Sequence, residues 1–134
     1  MSARVAAGNG VAEWTFPADP GAVRTARTAV RGRLRRWGLD GLADLTVLLV
    51  SELVTNSVQH ATGPVGVRLI RPAGLRDVLR VEVSDPLPDP PRERPARPDD
   101  ENGRGLRLLT VCCRRWGTRT GPTGKTVWFE LPVS

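Results

Sequence analysis

Four polar residues stand at helical spacing in the run Ser51-Glu52-Leu53-Val54-Thr55-Asn56-Ser57-Val58-Gln59-His60-Ala61. Each residue of a helix advances about 100°, so Glu52, Asn56 and Gln59 fall in one narrow sector and His60 at its edge. Leu45, Leu48 and Leu49 occupy that sector earlier in the run, and Val47, Val50, Val54 and Val58 the opposite face, so the helix reads as covered on both sides. Polar groups in such surroundings need partners, because an unpaired buried one costs about 1 to 3 kcal/mol and a charge more. Oxygen chemistry on a hard cation would meet that need. An amide carbonyl such as that of Asn56 can ligate Mg2+, which keeps several waters and shares phosphate oxygens, while a carboxylate such as Glu52 can orient or deprotonate a hydroxyl. A purely structural reading, with Glu52 bonded to a strand and Asn56 to loose backbone, explains the segment equally simply when it is taken alone.

Two further places bear on the choice. Asp85 closes the apolar run Val81-Glu82-Val83-Ser84, where strand-end loops build ligand sites, and a carboxylate there can accept a hydrogen bond from an adenine amino group. Gly103-Arg104-Gly105-Leu106 sets glycines at the start of a helix, where free N–H groups and the helix dipole favour phosphate.

The elements that must position these residues are legible in outline. Ala12 to Phe16 alternates Trp14 and Phe16 with polar neighbours and reads as a first strand. Asp19-Pro20 starts an amphipathic helix through Val23, Ala26, Val30, Leu34 and Trp37, ended by Gly38, with Arg24, Arg27, Arg31, Arg33, Arg35 and Arg36 on its other face. Asp40 can cap the second helix, which runs toward Ala61. Val65 to Ile70 and Val78 to Val83 read as a hairpin joined by Arg71-Pro72-Ala73-Gly74. Residues 85 to 102 carry six prolines and no hydrophobic period, and read as a long functional loop. A third helix from Gly103 carries Leu106, Leu109, Val111 and Cys113 and stops near Trp116-Gly117, and Thr126 to Leu131 forms the last strand.

A chain of 134 residues fits one domain, here residues 11–134 after a flexible N-terminus over 1–10. The longest apolar stretch, around Leu45 to Val50, falls short of the roughly 20 residues that cross a bilayer, and Met1 to Gly10 lacks a signal-peptide pattern. No membrane association and a cytoplasmic location are therefore expected. Adjacent Cys112 and Cys113 suit neither a disulfide nor, with one histidine, a zinc site, and read as buried thiols. The net charge of +6 invites nucleic acid as a partner, but nineteen of twenty basic residues are arginines scattered along the whole chain, which favours a solvated surface.

The order and spacing of Glu52 to Ala61, Val81 to Asp85, Gly103-Arg104-Gly105-Leu106 and Gly124-Lys125-Thr126-Val127-Trp128-Phe129 resemble the histidine-kinase-like ATPase domain of anti-sigma-factor serine/threonine kinases. The likeness covers nearly the whole chain. It belongs with the wider superfamily of gyrase, heat-shock chaperone, histidine kinase and mismatch-repair ATPases. It implies an α+β fold of the Bergerat type, a two-layer sandwich whose mixed, mostly antiparallel sheet is covered on one face by helices. It also implies ATP and Mg2+ as cofactors. Asn56 would be the magnesium ligand, Glu52 the base on an acceptor serine, Asp85 the adenine reader, and Thr126 a hydroxyl near the adenine. Gly103 and Gly105, with Arg104 and Leu106, would form the phosphate loop, and the Pro/Arg-rich loop before it the ATP lid. The implied partners are a sigma factor and an anti-sigma antagonist protein, with a homodimer through the sheet as a further form.

The sequence departs from the superfamily after Asp85, where Pro86-Leu87-Pro88-Asp89 replaces the usual glycines, and Gln59 stands where sensor kinases often have lysine. The sole histidine lies inside the helical motif, which argues against histidine autophosphorylation. Three readings follow: a serine/threonine kinase that is also an anti-sigma factor, an ATP-binding sensor module that regulates a protein partner without phosphoryl transfer, and a nucleic-acid-binding domain using the arginine face of the first helix.

Overall fold

Alternating inward residues organise the sheet. In the computed structural model, which describes residues 6–8, 10–60, 63–71, 77–86, 101–122 and 124–133, Ala12, Trp14 and Phe16 of strand β2 (Val11–Phe16) are buried while Glu13 and Thr15 are exposed. The same period turns Val65, Val67 and Leu69 of β3 (Val65–Ile70) inward, and Leu79, Val81, Val83 and Asp85 of β4 (Val78–Asp85). On β6 (Gly124–Pro132) it turns in Val127, Phe129 and Leu131. With β1 (Ala6–Gly8) and β5 (Arg115–Gly121) these strands form one six-stranded sheet in the order β1-β2-β3-β4-β6-β5, antiparallel at every pairing among the described residues.

Helices cover one face, as the α+β sandwich requires. Helix α1 (Gly21–Arg36) buries Ala22, Ala26, Val30 and Leu34 at three- and four-residue steps. Its N-terminus is held by Asp19, whose Oδ1 accepts the Gly21 N–H at 2.9 Å. At its other end Gly38 takes φ +72°, and the N–H groups of Gly38 and Leu39 donate to the carbonyls of Arg35 and Leu34. This is the paired closure that a left-handed glycine permits. A short 3-10 turn, Asp40–Leu42, then leads into α2 (Ala43–His60), so Asp40 opens a turn of its own before the main helix. Helix α3 (Glu101–Cys112) packs on α2 and β5 through Leu109.

Helix α2 is buried on one side only. Val47, Val50, Leu53, Val54 and Leu49 enter the core, whereas Leu48 is 46% exposed, Gln59 is exposed, and Leu45, Glu52 and Asn56 are half-buried. The expected cover on both sides is thus corrected: the valine face lies in the core formed with α1 and the sheet, and the polar sector lies at the helix flank. The segment Asp40–Gln59 is long and apolar enough, at mean hydropathy 1.3, to meet the length and composition of a membrane span, contrary to the expectation from Leu45–Val50 alone. Val47, Leu49, Val50, Leu53 and Val54 belong to the core shared with α1 and the sheet, which accounts for much of that composition.

Ala6–Gly8 pairs with β2 as an edge strand through the register Ala6↔Glu13 to Gly8↔Val11. Three other expectations are corrected. The hairpin's second strand continues two residues past Val83, so Asp85 and Ser84 belong to the ladder rather than to the loop. The third helix begins at Glu101, two residues before Gly103, and ends at Cys112. Arg115 to Gly121 then forms β5, an edge strand held by β6. Cys112 and Cys113 are free and half-buried, not fully buried. The loop expected over 85–102 falls outside the described residues between 87 and 100, as do residues 72–76.

Candidate nucleotide site

The polar flank of α2 opens onto the inner face of the sheet next to the ends of β4 and β6. A cavity of about 210 Å³ lies there, walled by Leu53, Asn56 and Ser57 from the helix and by Val83, Thr118, Lys125 and Val127 from the strands. Asn56, half-buried, brings its amide to this wall because it follows Leu53 by three residues, which puts it on the edge of the buried stripe. Ser57 is 6% exposed and donates its hydroxyl to Asp85 Oδ2 at 2.8 Å. Asp85, 9% exposed, is the last residue of β4 and turns inward by the same alternation as Val81 and Val83. One oxygen of its carboxylate is thereby fixed to the helix, which orients the group beside the cavity.

Of the residues expected to act together, Asn56 and Asp85 are brought to the same place, linked through Ser57. Glu52 sits one turn before Asn56, half-buried and engaged in an interaction of its own, and it does not wall the cavity. Gly103, Arg104, Gly105 and Leu106 lie in the first turns of α3, whose backbone is helical there; their side chains fall outside the described residues. Because the helix starts at Glu101, Gly103 keeps a first-turn N–H without a helical acceptor, whereas Gly105 lies beyond that turn. Helix starts are commonly displaced by a residue or two from sequence signals.

Thr126 lies one ladder position from the Asp85–Lys125 pair and lines the open hollow with both. The β4–β6 ladder pairs Ser84 with Thr126 and Asp85 with Lys125, so Thr126 points to the face away from the helices. There its hydroxyl lies 2.8 Å from that of Ser84. The cavity position opposite Asp85 belongs to Lys125, one residue earlier, which was not among the expected site residues. A single step along a strand reverses the face, and a motif match without the register cannot resolve it.

The glycine-poor segment after Asp85 also has a structural answer. A Cβ at Gly63 would come within 2.8 Å of the Pro86 ring, and one at Gly124 would collide with the Asp85 carbonyl. The close backbone approach that glycines in this turn would give is supplied instead by glycines facing it. Around this turn lies a second, open hollow of about 600 Å³ reaching Ser84 and Thr126 on the outer face. Asp85 and Lys125 line it as well, whereas Asn56 and Ser57 line only the inner cavity, so the two hollows meet at the Asp85–Lys125 pair.

Among the described residues no cluster of three or more His, Cys, Asp or Glu side chains could hold a metal by itself. A single amide such as that of Asn56 fits a magnesium ion whose other ligands are phosphate oxygens and waters. A family model for the histidine kinase-like ATPase domain matches residues 16–131. The chain belongs to that family. No curated protein matches it. Family membership covers the sheet from the end of β2 through β6 and all three helices, and it makes this chain a nucleotide-binding domain of the ATPase class with the α+β sandwich described above.

The outer sheet face is built differently. Glu82 and Glu130, 6% and 4% exposed, are covered by arginines: Arg80 Nε lies 3.1 Å from Glu82 and its Nη1 3.2 Å from Glu130, with Arg119 at 3.5 Å, and with Arg68 and Arg115 each at 3.7 Å. Arg80 also stacks on Trp128, its guanidinium carbon 4.2 Å from the ring centroid. On α1, Arg24, Arg27, Arg31 and Arg35 line a hollow of about 520 Å³, and Arg31 pairs with Asp44 at 2.9 Å.

Proposed function

We propose that this ATPase-family domain binds ATP with Mg2+ and acts as a serine/threonine protein kinase of the anti-sigma type, phosphorylating an anti-sigma antagonist protein and sequestering a sigma factor. The observation that carries the nucleotide part is the Ser57–Asp85 hydrogen bond, which joins the helical motif to the end of β4 at the wall shared with Asn56. In this reading Asp85 accepts from the adenine amino group with the oxygen that Ser57 leaves available, and Asn56 supplies one oxygen to the metal. The bound magnesium nucleotide supplies the phosphoryl group and most of the charge neutralisation. Glu52, one turn from Asn56, takes the proton of the acceptor hydroxyl as its oxygen bonds to phosphorus and ADP leaves. The kinase and anti-sigma parts rest on the resemblance of the motifs, and the half-buried flank position of Glu52 is compatible with a protein substrate reaching it from solvent.

A second reading, an ATP-binding sensor module without phosphoryl transfer, is favoured by one feature. Pro86 packs against Gly63 and Gly124, in place of the superfamily glycines that let backbone approach the base. Transfer of label from γ-labelled ATP to serine of candidate antagonist proteins separates the two. Transfer that is abolished in Glu52→Ala while ATP still binds supports the kinase; ATP binding with no transfer to any antagonist supports the sensor. No membrane role and no nucleic-acid role is proposed for the domain.

A further inference from the structure

We propose that Lys125 is a base-contacting residue of the nucleotide site, donating to the adenine ring nitrogen N1 beside the amino group that Asp85 accepts. The inference rests on the nucleotide reading above and deepens it. Lys125 and Asp85 are direct partners in the β4–β6 ladder, so their side chains leave the sheet on the same, helix-facing side. Directly opposed residues have Cβ atoms about 4.5 to 5.5 Å apart. A lysine so placed ordinarily neutralises its cross-strand carboxylate. Here it does not: Asp85 bonds to Ser57, and among the described residues Lys125 makes no hydrogen bond or ion pair, although it is half-buried and walls the cavity.

The paired ends of β4 and β6, which both line the open hollow, therefore present a fixed acceptor and an uncommitted donor side by side. Adenine carries the complementary pair on either side of C6 at its ring edge, the N6 amino group as donor and N1 as acceptor. Gly124, the residue before Lys125, packs on the Asp85 carbonyl and holds the two strand ends at this spacing. A hydrogen bond from a charged donor in a partly desolvated site corresponds to about a tenfold or greater change in affinity.

The test is calorimetric titration of the full chain with Mg-ATP and with Mg-N1-deaza-ATP, in which carbon replaces the acceptor nitrogen. Wild type is expected to bind ATP about tenfold or more tightly than the deaza analogue. Lys125→Met, and Lys125→Leu as a second variant, both without a donor, are expected to bind ATP about as weakly as wild type binds the analogue and not to distinguish the two. Wild type binding both nucleotides equally overturns the assignment without recourse to any variant. A variant that keeps the wild-type preference overturns it too, as does one losing affinity equally for both, which would put the ammonium on the phosphates. Absence of any ATP binding by wild type removes the nucleotide reading itself, an outcome distinct from binding without N1 discrimination.

Discussion

Removing the Ser57 hydroxyl perturbs the contact on which the site reading depends. The bond to Asp85 Oδ2 is 2.8 Å long, and both residues are nearly excluded from solvent at 6% and 9% exposure. A hydrogen bond to a charged group contributes about 1.5 to 3 kcal/mol. The neighbouring cavity lets water occupy the vacated position, which holds the loss in Ser57→Ala to the lower part of that range, about 1.5 kcal/mol. A double-mutant cycle with Asp85→Ala isolates the pair, because once the carboxylate is gone the hydroxyl has nothing to hold in place. Urea unfolding of the four proteins, followed by the fluorescence of buried Trp14, should give a coupling energy of about 1.5 kcal/mol. Single-variant effects that add within about 0.5 kcal/mol would refute the claim that this contact fastens α2 to the end of β4.

Three more outcomes follow from the packing. Thr46 is fully buried on α2 and its hydroxyl has no partner among the described residues, so Thr46→Val should stabilise the fold by about 1 kcal/mol, read as a higher urea midpoint at unchanged slope. Arg80→Met removes the guanidinium shared by Glu82 and Glu130 and should cost about 3 kcal/mol in the same assay, while Asp44→Asn, which breaks only the exposed Arg31 pair, should change stability by less than about 1 kcal/mol. Burial, and secondarily the adjacent Cys112, push the Cys113 thiol up from 9.0 to about 11. The folded state thus holds that proton more tightly than the unfolded chain, so its contribution is complete below the unfolded value and is lost as pH rises through the folded one. The urea midpoint should fall between pH 9 and 11, and less steeply in Cys113→Ser.

The frame of this domain was readable because apolar period and punctuation agreed. Ala26, Val30 and Leu34 repeat at helical steps up to Gly38, and β3 and β4 alternate cleanly; the structure follows both. Strand β5 escaped because Arg115-Trp116-Gly117-Thr118-Arg119-Thr120-Gly121 carries no apolar alternation. It is an edge strand defined by its ladder to β6, with the Trp128 indole lying over Gly117. Within the site, Asn56 and Asp85 were legible from type and position. Ser57 was not singled out, although it lies one helical step from Asn56 toward the valine face, where a hydroxyl needs a partner. Thr126 and Lys125 show the limit most directly: which of two neighbours faces the cavity depends on the pairing of β6 with β4, a relation between residues forty positions apart in sequence.

Calorimetric titration of the whole chain with Mg-ATP, beside Asp85→Ala, tests the nucleotide site most directly. Saturable binding at one nucleotide per chain, weakened about tenfold or more by the loss of the Asp85 carboxylate, is the expected result. Absence of binding by the wild-type chain, or equal affinity in Asp85→Ala, would contradict the assignment of Asp85 as the residue that reads the base.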